Sequence, residues 1–136
     1  MADALARLGT TKSWVVHGSE GLDEISSSGS TFVAEVERGS VRTFDVLPDD
    51  FSIERQRLNG IRAETPEQSA GIIREVLAGT RTGDAAESVV VINAAAALLL
   101  VGDASDLIDG VRIAQRSVGD GRAARKLEEL GQAIRK

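Results

Sequence analysis

Apolar and polar residues change their spacing along this chain, dividing it into a strand-rich first part and a helical remainder. Ala2 to Leu8 has the pattern of a short amphipathic helix closing at Gly9, and a Thr-Thr-Lys-Ser connection leads into Trp14-Val15-Val16. Bulky and β-branched residues in that run predict a buried strand over 14–17. Thr31 to Glu37 sets Phe32, Ala34 and Val36 against Thr31, Val33, Glu35 and Glu37, an imperfect period of two. Arg38-Gly39-Ser40 supplies turn chemistry before Val41 to Val46 alternates again. Segments 31–37 and 41–46 therefore read as a hairpin. Pro48 ends it by removing a ladder donor. Asp49 to Glu64 has no clean period and reads as an ordered connection with about one helical turn.

Helices are predicted for the rest. Thr65-Pro66-Glu67-Gln68 combines an N-cap threonine, a first-turn proline and a capping-box glutamine. Ile72, Ile73, Val76 and Leu77 follow on one face, and Gly79 is a C-terminal stop. Asp84 and Glu87 repeat the capping-box spacing before SVVVINAAAALLLV, which Gly102 terminates. That segment is apolar around most of its circumference, which predicts the central buried helix. Leu107, Ile108, Val111 and Ala114 mark another amphipathic helix, and Leu127, Leu130 and Ile134 mark the last. The expected fold class is α/β over residues 1–136, one domain without an internal boundary. In it a mixed sheet, the short strand 14–17 plus the hairpin 31–37/41–46, packs against C-terminal helices.

Composition narrows the chemistry. A chain of 136 residues with 42% hydrophobic and 27% charged residues is a globular domain with a real core, not a disordered chain. Aromatic residues are only 3%, so Val, Ile, Leu and Ala must build that core. The net charge of −5 argues against a nucleic-acid-binding surface. Without cysteine and with a single histidine, disulfides, thiolate catalysis, Cys-based zinc sites and His-cluster metal sites are excluded. No signal-peptide pattern is visible at the N-terminus. The longest apolar run, Val89 to Val101, is interrupted by Asn93 and falls short of the roughly 20 residues that span a bilayer. No membrane role is expected, and the cytoplasm is the default compartment.

Against that background the segment WVVHGSEGLDEI stands out. A strand runs into a turn carrying Gly18 and Gly21, which lets the backbone bend sharply and approach a ligand, and the turn ends in Asp23 and Glu24. Ligands of α/β proteins gather at the carboxyl ends of strands. Two hard-oxygen side chains there could hold Mg²⁺ against a phosphorylated substrate, although solvated acidic pairs in loops are common. His17, at the end of the strand, is expected to make structural hydrogen bonds to nearby backbone rather than to titrate in a reaction. Asn93, an amide in the most apolar helix, is expected to tether a neighbouring loop. The serines 26, 27, 28 and 30 beside Gly29 form only a weak phosphate-cradle signal, with no Walker lysine and no GxGxxG. Arg112, Arg116, Arg122 and Arg125 are interleaved with acids and read as a solvated helix surface.

These landmarks, in this order, resemble the C-terminal portion of the anthranilate phosphoribosyltransferase family over nearly the whole chain. VVHGSEGLDEIS is similar to the family's VVHG-x-(D/E)-G-(L/V)-DE segment, with Ser19 and Glu20 a slight departure from the usual pairing. Arg38-Gly39-Ser40, Pro48-Asp49-Asp50-Phe51, Glu67-Gln68-Ser69-Ala70 and Leu77-Ala78-Gly79 follow as in the family. Ser88 to Leu99 resembles the DxVLLNAAxAL helix, and Asp109-Gly110-Val111, Ser117-Val118 and Gly121-Arg122-Ala123 resemble the closing EGxxLA…SIxSGxA pattern. The resemblance implies part of the large C-terminal domain of the nucleoside phosphorylase/phosphoribosyltransferase fold. It implies a pentosyltransferase reaction of tryptophan biosynthesis, in which anthranilate displaces pyrophosphate from phosphoribosyl pyrophosphate. It also implies that Asp23 and Glu24 are the family's Mg²⁺-binding pair.

The family's GTGGD loop, KHGNR segment and anthranilate-contacting arginine have no counterpart here, nor does its N-terminal helical domain. The expectation is a C-terminal piece (an excised segment, a split subunit or a truncated product) that needs the N-terminal part and is inactive alone. An alternative is a non-catalytic module that self-associates as a homo-oligomer or binds a partner through surfaces left uncovered, the edge of Trp14 to His17 and the face of Val89 to Val101. A related transferase with another acceptor is a third reading that the sequence does not separate from the first.

Overall fold

In the computed structural model, which describes residues 1–58 and 61–134, Lys12–Gly18 (β1), Thr31–Glu37 (β2) and Ser40–Val46 (β3) form a sheet ordered β1-β2-β3. Both pairings are antiparallel, so among the described residues the expected mixture of directions is absent. The first strand also begins two residues earlier than its apolar run. The hairpin closes through Arg38 and Gly39, both at positive φ (48° and 82°), the two-residue turn whose twist suits a right-handed ribbon. Arg38 is not a residue that favours this region, so glycine at the next position makes the turn accessible.

The register explains the imperfect alternation of β2. Val16, Val33 and Phe44 lie across from one another, and Val33 joins Val46, Ile25, Val91, Ile92 and Ala95 in the core. On the other face Ala34 and Val36 are also buried, with the first helix, Ala2–Arg7 (α1), packed on β2 and β3. A strand covered on both sides has no reason to alternate strictly. Phe32, which is 49% exposed, and Glu37 at the strand's end are the exceptions.

Pro48–Phe51 forms a 3₁₀ turn in the connection after β3, the single turn expected there; residues 59 and 60 of that connection lie outside the described residues. Pro66–Leu77 (α2) starts as predicted: Thr65 Oγ1 accepts from the Gln68 N–H at 3.2 Å, while Gln68 Oε1 accepts from the Glu64 N–H at 2.8 Å. Ala85–Val101 (α3) is capped by Asp84, which accepts from the Glu87 N–H at 2.9 Å. Leu107–Gly119 (α4) and Arg122–Ile134 (α5) complete the chain. No helix among the described residues is long and apolar enough to cross a membrane.

Helices α3 and α4 cross at Gly110. A Cβ placed there would stand 2.8 Å from the Ala95 carbonyl oxygen and 2.9 Å from its Cα, so only glycine permits this approach. The far side of α3 is different. Val89, Val91, Ile92, Ala95 and Ala96 are buried, but Val90 is 38% and Val101 72% exposed. The helix expected to be buried all round is covered on one side only.

One charged group is built into the sheet. Glu35, nearly fully buried on β2, accepts from Trp14 Nε1 across to β1 at 2.8 Å and from Arg42 Nε across to β3. The Arg42 guanidinium lies over the Phe44 ring, whose edge-to-face partner is Trp14. Burial raises the Glu35 carboxyl, but the Arg42 and Trp14 hydrogen bonds outweigh it and hold the pKa below its ordinary 4.5. A depressed folded-state value stabilises the fold above pH 4.5, and the contribution is lost as pH falls through the lowered value. Glu35→Gln should therefore flatten the acid limb of the stability–pH curve, measured by urea denaturation at a series of pH values. Unchanged steepness would mean that this carboxylate carries no such linkage.

Candidate functional site

The acidic pair is carried by the loop between β1 and β2, and the sequence folds that loop with its own side chains. The Gly18 N–H donates to the Leu22 carbonyl at 2.8 Å and the Gly21 N–H to the Gly18 carbonyl at 2.9 Å, closing a tight turn. Ser26 Oγ then works as a hub: it donates to Glu20 Oε1 at 2.7 Å and accepts from the N–H groups of Ser28 (3.0 Å) and Gly29 (3.3 Å). The Ser26 N–H donates in turn to Thr31 Oγ1 at 2.9 Å. Partial burial raises the Glu20 carboxyl, yet hydrogen bonds from Ser26, its own backbone, Ser28 and Ser19 prevail and keep it below its ordinary 4.5. Glu20 is thus an ionised structural acid. Ser26 ties the loop together, while Ser27 Oγ is buried without a hydrogen-bond partner and so is closed to an incoming phosphate.

Asn93 fastens this loop to α3. Its Oδ1 accepts from the Ile25 N–H at 3.0 Å, and its Nδ2 donates to the Ile25 carbonyl at 3.0 Å and to the Val89 carbonyl at 2.9 Å. Ile25 itself is buried in the core. The tether expected of Asn93 is present, and its target is the residue directly after the acidic pair.

Between these two fixings, Asp23 and Glu24 project outward. Both are exposed, and neither has a side-chain hydrogen bond or ion pair among the described residues. Their carboxylates are open to solvent, and Glu24 borders a small cleft with Leu22, Ile61 and Ile72. No group of three or more metal-ligating side chains is present among the described residues. The donor set therefore fits Mg²⁺ only as part of a shell, because that ion takes one or two carboxylates and completes its octahedron with water and substrate phosphate.

His17 is exposed on β1 and has no side-chain hydrogen bond among the described residues, contrary to expectation. On an edge strand its side chain points to solvent, away from the core face of Trp14 and Val16. Arg112 and Arg122 pair with Asp109 (3.0 Å) and Asp120 (2.9 Å) in their own exposed surroundings, as a solvated helix surface would. Arg57 and Arg62 were not marked by any sequence motif. Together with Glu20, Leu22, Ser28 and Ile61 they line a cleft of about 910 Å³ beside the acidic loop. They come from a connection without periodicity, so only the fold brings them to that side of the loop.

Comparison with known proteins agrees with this architecture. The glycosyl transferase family, a/b domain, matches residues 1–124. The chain is 39% identical over 133 residues to an anthranilate phosphoribosyltransferase of Methylocella silvestris and 44% identical over 133 residues to that of Azorhizobium caulinodans. Each match covers 98% of this chain but 38% of the relative, so the chain spans well under half the length of the curated relatives it matches. Its fold superposes on the crystal structure of anthranilate phosphoribosyltransferase from Thermus thermophilus with a TM-score of 0.86 at 30% identity, covering 99% of this chain and 39% of that one. The Saccharomyces cerevisiae enzyme in complex with PRPP and Mg superposes with a TM-score of 0.73 at 28% identity, over 85% of this chain and 33% of that one. The sheet, the tied acidic loop and the helices behind it thus belong to a chain of the glycosyl transferase family, a/b domain, whose relatives are anthranilate phosphoribosyltransferases.

Proposed function

We propose that this chain, as a single domain over residues 1–136, is the Mg²⁺-binding C-terminal part of an anthranilate phosphoribosyltransferase, inactive alone and completed in the cytoplasm by the remaining part of that enzyme. The observation that carries this reading is the exposed Asp23-Glu24 pair, presented at the end of β1 by a loop fixed on both sides. A relative of the same fold is known with PRPP and Mg, which supports the choice of ion and substrate.

In this reading the loop's work is electrostatic and positional. The Asn93 clamp and the Ser26 hub hold the carboxylates in place before substrate arrives, so little ordering is needed at the moment of reaction. Bound Mg²⁺ would offset the negative charge that collects on pyrophosphate as it leaves the ribose C1. Asp23 and Glu24 would hold that ion, each through a carboxylate oxygen. The anthranilate amine supplies the electron pair for the new bond to C1 as the C1–O bond to pyrophosphate breaks, and the nitrogen then releases one proton to solvent.

Two outcomes test the proposal. Loss of anthranilate fluorescence with phosphoribosyl pyrophosphate and Mg²⁺ should be undetectable for the purified chain and should appear when the remaining part is co-expressed with it. Asp23→Asn in that active mixture should lower kcat by about a hundredfold or more, as expected for removing a ligand of charge-stabilising machinery; a variant with wild-type rates would remove the pair from the reaction. Separately, Asn93→Ala leaves the Ile25 N–H and carbonyl without their partner. It should destabilise the chain by about 2 kcal/mol or more in urea denaturation, and a neutral result would show that the clamp is not holding the loop.

A further inference from the structure

We propose that the cleft between α2 and α5 binds a small zwitterion, an α-amino acid with an apolar side chain. The two helices face each other without closing: Val76 is the one buried residue of α2, and α5 buries none. Ala70, Ala124 and Gly131 leave a cavity of about 480 Å³ between them, and Ile73, Leu77 and Leu127 give it apolar walls. Small-molecule sites are cavities of this kind and size, apolar with a few polar groups that fix orientation.

The charged groups here are one cation and one anion, from opposite walls. Arg74 comes from α2 and Glu128 from α5. Both side chains are exposed, and neither has a hydrogen bond or ion pair among the described residues. The charged residues next to them in the chain, Glu75 and Glu129, are matched within the protein, by Arg81 at 3.7 Å and by Lys126. The pair that lines the cleft is left unmatched.

These features select the ligand. An aliphatic or aromatic side chain takes the walls out of water, which supplies the drive for binding. The Arg74 guanidinium donates to the ligand's carboxylate, and the Glu128 carboxylate accepts from its ammonium. A simple carboxylate would stand unmatched beside Glu128, and a simple amine beside Arg74. Anthranilate does not fit, because its aromatic amine is uncharged at neutral pH. Neither Asp23 nor Glu24 lines this cleft, so the site is independent of the proposed Mg²⁺ site.

The test follows amide resonances of the ¹⁵N-labelled 136-residue chain during titration with L-phenylalanine, 3-phenylpropionate and phenethylamine. Saturable shifts at Ile73, Leu77, Ala124 and Leu127 are expected with phenylalanine. Each analogue lacks one charge and should bind about fivefold more weakly, the upper range for an exposed charge pair. Arg74→Gln should erase the preference over phenethylamine, and Glu128→Gln the preference over phenylpropionate. Both positions are exposed, so the melting temperature should be kept. Ala124→Leu, which fills the cleft, should abolish the shifts. Absent saturation, shifts centred outside α2 and α5, analogues that bind as well as the amino acid, glutamine variants with wild-type preferences, or undiminished binding by Ala124→Leu would each overturn the proposal.

Discussion

Two hydrogen bonds through one amide connect the helical half of this molecule to its acidic loop. Asn93 lies in a helix that is otherwise almost wholly apolar, and it satisfies both backbone groups of Ile25 while bonding the Val89 carbonyl behind it. A polar side chain in such a helix is tolerated only when its donors and acceptors are matched. Here the matching partner is the residue next to Glu24, and the requirement that stabilises α3 also fixes the acidic pair. The Ser26–Glu20 hub pins the other end of the loop, so Asp23 and Glu24 stand exposed on a segment with no slack.

The two sides of the same helix differ. Its buried side completes a core with Val33, Val46, Phe51 and Val111, while its other side lines an open, mostly apolar groove shared with the other helices. Helices apolar all round are stable where both sides are covered. The relatives this chain matches carry most of their length outside the matched part. Two carboxylates without substrate phosphates hold Mg²⁺ poorly.

Much of this was legible in the sequence where local chemistry decides the outcome. The hairpin, the Thr65 and Asp84 caps and the Gly102 stop follow from residues adjacent in the chain, and each is found where the pattern puts it. The Asn93 tether was legible as a need, an amide without partners in an apolar helix, though the identity of Ile25 was not. Features set by distant residues were not legible. The imperfect alternation of β2 concealed burial on both faces, and nothing local marks Arg57 or Arg62 as neighbours of the loop. His17 was expected to find backbone partners and instead faces solvent, because the register of an edge strand, not the residue type, decides which way it points.

The central claim is that Asp23 and Glu24 are a Mg²⁺ site that needs phosphate oxygens to close. Amide resonances of the ¹⁵N-labelled chain, followed during Mg²⁺ titration with and without pyrophosphate, test it most directly. The account predicts small, unsaturating shifts with Mg²⁺ alone and saturable shifts confined to Gly21 through Ile25 when pyrophosphate is present, both absent in Asp23→Asn. Tight binding of Mg²⁺ without pyrophosphate, or saturable shifts that centre elsewhere on the chain, would contradict it.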